Sequence, residues 1–291
     1  MKNFLGIFVI TIISMMALIS CEPVENRLEM KGGVTEADVK AKVIVELVVR
    51  EGKKSNYIHF NSESLVNCVT SFTHGLGTFV GKEGTVQGFV VAGNFDIIVN
   101  VLNADGTSLP PISFPVTVEE CFDVDPEWAI FCGSGEKVWT WDENGDDNSR
   151  VWGNGAYKVS PVPDWWGRTV DEMDEEVPGN GKGATMTFSA SGATLTKLKT
   201  DGVTEKGTFS FDMSKKIEDV EGNNWSIGHL STKEITVLNG KQQNVGENPP
   251  LYEYEILKLT EDEMVLGWPT GSDPDVGPWS EAWYWFFKPV K

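Results

Sequence analysis

Histidine and cysteine are scarce in this chain: three histidines (His59, His74 and His229) and four cysteines among 291 residues. None of the histidines has a partner at ligand spacing, and no CxxC pair occurs, so a zinc site is not expected. The same scarcity leaves no Ser-His-Asp or Cys-His arrangement that could be assigned to nucleophilic catalysis. Cationic residues are few as well. Lys and Arg number 24 against 43 Asp and Glu, giving a formal net charge of −19. That balance argues against nucleic acid and against an anionic membrane surface as partners, and is compatible with a neutral ligand. Helix signals are nearly absent; the best, residues 171–176, is short and acidic apart from Met173. No cofactor is expected either. The glycine-rich run 179–183 lacks the strand-loop-helix context of a phosphate cradle. The acidic turn 142–148 (DENGDDN) departs from the calcium-loop pattern, with Gly145 fourth and Gly153 twelfth, and reads as a solvated hairpin turn.

What is present points to strands. Thirty glycines, fourteen prolines, 40% hydrophobic residues and repeated Thr/Val/Phe runs describe an all-β chain with a full core, of about two domains. Tryptophan divides it: all eleven lie at or beyond Trp128. The composition breaks at residues 123–128, where Asp123, Asp125 and Pro126 read as a linker.

Residues 1–20 are read as a leader. Lys2 supplies a positive start, and residues 4–18 form an apolar run too short for a membrane span. The run ends in Leu18, Ile19, Ser20 and Cys21, which resembles the cleavage box of bacterial lipoproteins. That resemblance implies cleavage before Cys21, lipidation of its thiol and acyl anchoring, so that the chain meets a membrane through the lipid only. Residues 21–34 then form a flexible tether. Of the remaining cysteines, Cys121 and Cys132 flank the apparent junction. Two readings stay open for them: a disulfide in an oxidising compartment, or buried free thiols.

Over residues 35–122, runs at 39–49, 57–60, 85–91, 95–102 and 112–118 are separated by turn signals and read as an immunoglobulin-like sandwich. Residues 85–102 (TVQGFVVAGNFDIIVNVL), followed by Asn103, Ala104, Asp105 and Gly106, resemble the second half of a PKD-type domain. Phe72, Thr73, His74 and Gly75 stand where that family carries a Trp-x-Phe-Gly-Asp-Gly turn, without its Trp and Asp. The resemblance implies a spacer.

Residues 127–291 read as a second, Trp-rich antiparallel β domain, with runs at 184–189, 193–198, 207–213, 225–230, 234–238, 252–259, 264–267 and 283–287. Aromatics on both faces of the last run imply a strand buried on both sides, or the closing strand of a barrel. The sequence YEYEILKLTEDEMVLGW with the final WYWFFK is similar to lipocalin-like domains of bacterial lipoproteins; a carbohydrate-binding jelly roll is the competing fold. Lipid anchor, PKD-like spacer and Trp-rich domain together resemble the surface lipoproteins of bacterial glycan-uptake systems. This implies an outer-membrane, cell-surface location and transporter partners.

The segment between Trp139 and Gly167 holds five tryptophans beside acids and amides. Indole faces take the C–H faces of a sugar, while carboxylates and amides take its hydroxyls. Trp139 and Trp141 alternate in a strand and read as core. Trp152, Trp165 and Trp166 are expected as exposed stacking platforms, with Asn154 and Asp164 as hydroxyl partners and Trp268 and Trp279 as a second wall. The expected function is therefore non-catalytic capture of a polysaccharide or oligosaccharide. One alternative is a glycoside hydrolase: Glu172, Asp174 and Glu176 form an E-x-D-x-E pattern that resembles the catalytic strand of laminarinase-type enzymes, and it requires that segment to be a strand. The other is a structural or assembly lipoprotein whose tryptophans are all buried.

Overall fold

A computed structural model describes residues 33–145, 148–244, 246–271 and 279–291. The leader, Cys21, most of the tether and part of the acidic 142–148 turn lie outside the described residues.

The first element among the described residues is a helix where strand alternation had been expected. Helix α1 (Glu36–Lys42) is started by a capping box in which the Thr35 hydroxyl accepts from the Asp38 backbone N–H while the Asp38 carboxylate accepts from the Thr35 backbone N–H. Glu36–Lys40 and Asp38–Lys42 pairs then support it at i,i+4 spacing. Strand β1 (Ile44–Arg50) follows, then β2 (Lys53–Asn61), β3 (Cys68–His74), β4 (Gly77–Val80), β5 (Glu83–Gln87), β6 (Gly93–Asn103) and β7 (Ile112–Val118). They form two antiparallel sheets, ordered β1-β2-β5 and β4-β3-β6-β7. Ile58 and Phe60 from the first sheet meet Phe72, Ile97 and Val99 from the second in one core, and the Phe60 and Phe72 rings stack at 4.5 Å. The hairpin β3–β4 has no counterpart among the runs read from the sequence.

The Trp-rich part builds a barrel. Helix α2 (Glu127–Cys132) leads into β8 (Glu136–Trp141), β9 (Arg150–Ala156) and β10 (Trp166–Thr169). A 3-10 turn (Val170–Glu172) and a single helical turn α3 (Met173–Glu176) precede β11 (Thr185–Ser189), β12 (Thr194–Leu198) and β13 (Thr204–Asp212). After a small hairpin, β14 (Ile217–Glu218) and β15 (Asn224–Ser226), come β16 (Gly228–Lys233), β17 (Glu253–Leu259), β18 (Met264–Pro269) and β19 (Glu281–Pro289). Strands β11, β12, β13, β16, β17, β18 and β19 pair in that order, and β8 joins β11 to β19, closing eight antiparallel strands. This near-sequential order is that of a meander and not of a jelly roll, so the jelly-roll expectation is corrected.

Alternation decides what fills the barrel. Trp139 and Trp141 on β8, Met186 and Phe188 on β11, Tyr254 and Ile256 on β17, and Trp283, Trp285 and Phe287 on β19 join one buried core. The indole N–H of Trp139 donates to the Phe131 carbonyl and that of Trp141 to the Asn180 carbonyl. Cys132 is buried in the same core, and Cys68, Cys121 and Cys132 are all free thiols.

Strand β19 explains the aromatic run at the end of the sequence. One of its edges pairs with β18 from Ala282 to Phe287, while the other pairs first with β9 and then with β8. Its outward residues Ala282, Tyr284 and Phe286 lie in a second small core with Tyr157, Trp225 and Val265. Both pleat faces are therefore covered, as expected from the sequence.

Strand connections alternate between the two ends of the barrel. Val90, Leu76 and Val91 from the first half of the chain join the barrel core together with α2, at the end carrying residues 190–193. The connection 199–203, residues 234–244 after β16 and Thr270 after β18 lie at the other end. Residues 234–238 were expected as a strand, but Glu234 (φ 65°) and Asn239 (φ 49°) have left-handed backbones that break extension. The segment is a loop.

Candidate functional site

At that second end of the barrel, aromatic and amide side chains line up across four strands. Trp268 on β18 pairs with Trp283 on β19, Trp283 with Asn154 on β9, and Asn154 with Trp166 on β10. The next row on the same face is Trp285, Trp152 and Arg168. Rings from both rows meet: Trp152 and Trp283 have centroids 4.7 Å apart, and Trp166 stands edge-on to them at 5.6 and 6.0 Å. The Arg168 guanidinium covers the Trp166 ring at 4.9 Å.

The sequence makes this local packing possible through its glycines. In β9 (RVWGNGA), Trp152 and Asn154 point to the site while Gly153 and Gly155 alternate with them. A Cβ on Gly153 would meet the Trp166 carbonyl oxygen at 2.2 Å, and one on Gly155 would meet the Val162 carbonyl oxygen at 2.5 Å. Side chains there would push away the segment that carries Trp165 and Trp166.

A polar loop, residues 239–244, lies against the tryptophans. The Asn239 carbonyl accepts from the Trp285 indole N–H at 3.2 Å, and the Asn239 backbone N–H donates to Asn180 Oδ1. Lys241 Nζ is 5.8 Å from the Trp152 ring centroid. Asn244 Nδ2 donates to both oxygens of the Glu281 carboxylate, which also accepts from Asn154 Nδ2 and from the Thr270 hydroxyl.

Inside this arrangement, hydrogen-bonding groups are left over. Seven buried side-chain polar atoms have no hydrogen-bond partner among the described residues. Six of them belong to this place: Trp152 Nε1, Trp283 Nε1, Asn154 Oδ1, Gln243 Nε2, and both amide atoms of Asn239. The seventh, His229 Nδ1, lies 3.2 Å from a Glu253 carboxylate oxygen. An unpaired buried donor or acceptor costs about 1–3 kcal/mol, so such groups are rare unless something else uses them. Their concentration at one barrel end, beside an indole that is 40% exposed (Trp166), makes this end the candidate site.

A cavity of about 340 Å³ adjoins the loop, lined among others by Lys197, Lys199, Glu205, Asn239 and Lys241. Lys197 is buried, donates to the Thr236 hydroxyl and pairs with Glu205 at 2.9 Å; Lys199 pairs with the same carboxylate. Burial holds the Lys197 ammonium below the usual lysine range, partly offset by Glu205.

The expected site residues divide on this frame. Trp268, Asn154 and Trp166 fall in one row, and Trp152 is its direct neighbour. Trp152 is fully buried, so it presents no open stacking face and offers its N–H instead. Trp165 is 42% exposed and Trp279 is 88% exposed. Asp164 is exposed in the loop before β10. Trp283, Asn239, Lys241 and Gln243 were not singled out. The W-x-W alternation at 283 and 285 was legible as core, while a loop reading NGKQQN carries no signal that separates a lid from a solvated turn.

Glu172 and Glu176 do not occupy a strand, as the hydrolase alternative requires. Glu172 ends the 3-10 turn and accepts from the Thr169 backbone N–H and hydroxyl, which lowers its pKa. Glu176, in α3, pairs with Arg168 at 2.8 Å and with Lys241 at 3.8 Å.

The chain matches no protein-family model and no curated protein.

Proposed function

We propose that this protein is a lipid-anchored surface protein that captures a polysaccharide or oligosaccharide at the tryptophan-lined end of its barrel, without catalysis. The observation that carries the reading is the group of six unpaired buried polar atoms set among Trp152, Trp166 and Trp283. Sugars present apolar C–H faces and a ring of hydroxyls, which suits the half-exposed Trp166 indole beside unpaired N–H and carbonyl groups. Exposure of Trp165 and Trp166 favours a binding role over a purely structural one.

Finer assignments fit the same picture. The strand order β1-β2-β5 against β4-β3-β6-β7 supports an immunoglobulin-like, PKD-type spacer, and the eight-strand meander supports a lipocalin-like barrel. The glycan site and the contact with the first half of the chain lie at opposite barrel ends, an arrangement suited to presenting the site away from the tether.

The test is affinity electrophoresis of residues 22–291 in gels carrying a panel of plant, host and microbial polysaccharides, with reducing ends assayed in parallel. Retardation without new reducing ends, lost in the Trp165→Ala/Trp166→Ala double variant, is the expected result. Retention unchanged in a folded double variant would sink the reading, and new reducing ends would turn it into an enzyme.

A further inference from the structure

We propose that residues 239–244 form a hinged strap over Trp152 and Trp283, and that a ligand reaches the unpaired groups beneath it only after the strap has lifted. The inference rests on the reading of this barrel end as the glycan site and specifies how that site is gated.

The strap is fixed at its root and held only by polar contacts along its length. Just before it, Val237 and Leu238 are buried in the barrel core, which secures the root. From Asn239 to Asn244 (NGKQQN) there is no apolar side chain to seal the strap down. Instead, the Asn239 backbone N–H donates to Asn180 Oδ1, and the Lys241 ammonium donates to the Glu176 backbone carbonyl. The exposed Asn244 amide donates to both oxygens of the Glu281 carboxylate at 2.9 Å. On opening, such bonds are exchanged for bonds to water, so their net hold is modest and is strongest at the charged Glu281 latch. The two ends of the strap, Asn239 (φ 49°) and Asn244 (φ 58°), both have left-handed backbones. Asparagine enters and leaves that region at less cost than most residues, which suits a hinge.

Closure also carries a penalty. Asn239 and Gln243 on the strap are buried, as are Trp152 and Trp283, and the Lys241 ammonium stands over the Trp152 ring. In this closed state Trp152 Nε1, Trp283 Nε1, Gln243 Nε2 and both Asn239 amide atoms have no partner among the described residues. Water reaches these groups once the strap lifts, so opening restores hydrogen bonds that closure forfeits. Trp139 shows the contrast. It is equally buried, but its indole N–H is bonded to the Phe131 carbonyl of α2. A low-lying local opening is therefore built into one end of the barrel. Ligand hydroxyls, which both donate and accept, would take the place of that water and hold the strap shut over them.

The experiment is hydrogen–deuterium exchange of the indole N–H groups in residues 22–291, followed by NMR at urea concentrations below the unfolding transition and without any sugar. Trp152 and Trp283 are expected to exchange on the order of a hundredfold faster than Trp139, at rates nearly independent of urea, because lifting a short strap exposes little surface. Exchange at Trp139 should climb steeply with urea, as global unfolding requires. In Asn244→Gly, which removes the latch and permits the same left-handed backbone, exchange at Trp152 and Trp283 should quicken by about tenfold. A strap that stays closed over enclosed water predicts instead that Trp152, Trp283 and Trp139 share one urea-dependent rate. That result overturns the inference and leaves the glycan reading to its own test. Unaltered exchange of Trp152 and Trp283 in Asn244→Gly overturns it as well, since the opening would then lie elsewhere. Fast, latch-dependent exchange supports the strap, and if no polysaccharide is retained it does so while the glycan reading alone falls.

Discussion

Trp152 and Trp283 lie on neighbouring strands with ring centroids 4.7 Å apart, and neither indole N–H has an acceptor among the described residues. Elsewhere in the same barrel, Trp139, Trp141 and Trp285 each donate to a backbone carbonyl. The fold thus satisfies its structural tryptophans and leaves two unsatisfied at one end. A protein optimised for stability alone would not keep that arrangement, and the difference is measurable.

Gln243 tests it directly. Its buried Nε2 has no partner among the described residues, so Gln243→Met, which keeps length and removes the amide, should stabilise the fold by about 1 kcal/mol. Glycan retention should weaken in the same variant. Chemical denaturation and affinity electrophoresis give the two readouts. A loss of stability greater than about 1 kcal/mol would mean that the amide has a structural role.

Trp166 supplies the complementary case. Its ring is 40% exposed and contacts Trp152 and Trp283 only edge-on. Trp166→Ala should cost about 1 kcal/mol, against the 3–5 kcal/mol usual for a fully buried Trp→Ala change such as Trp141→Ala. Binding should nevertheless fall strongly in Trp166→Ala. Equal destabilisation of the two variants would show that Trp166 is a core residue.

Much of this architecture was legible because alternation is a strong signal where one strand face is buried. Strand β7 (Ile112–Val118) was read to the residue, and the two-faced burial of β19 followed from five consecutive aromatics. Helix α1 was missed because Val39 and Val43 sit on a helix and its exit while mimicking strand alternation, and the Thr35/Asp38 cap decides the matter. For the site, Trp166, Asn154 and Trp268 were legible as residue types. Their alignment was not, because it depends on the register of β9 and β10 against β19. The loop 239–244 was illegible for a different reason: Asn, Lys and Gln are as common in solvated turns as in lids, and only burial tells them apart.

Glu255 should make stability fall as pH rises. Its carboxylate is buried on the outer face of β17, where it accepts from the Tyr157 hydroxyl at 2.8 Å and the Trp225 indole N–H at 2.9 Å. Burial raises its pKa despite these bonds. A carboxyl group with a raised folded-state pKa favours folding fully below its unfolded pKa, and that contribution is lost as pH climbs through the folded value. The stability of the parent relative to Glu255→Gln should therefore decline from about pH 4 towards neutrality and level off above the raised pKa. A pH-independent difference between the two proteins would show that Glu255 titrates normally.

Cys132 offers a kinetic check on the barrel core. Its thiol is fully buried among aromatic side chains, with its pKa pushed up to about 12 by burial and by Glu136. Since the thiolate is the reactive form, a thiol reagent at neutral pH should modify Cys132 only through opening of the barrel. Cys68 and Cys121, both half-buried, should react under native conditions. Mild oxidant should leave all three thiols free, because Cys121 belongs to the core of the first half of the chain and Cys132 to that of the barrel. Mass spectrometry of the labelled and oxidised chain reads both outcomes. A Cys121–Cys132 disulfide formed without loss of the folded state would contradict the separation of the two cores, whereas Cys132 labelling that tracks global unfolding in denaturant would establish that this end of the barrel opens only when the whole fold does.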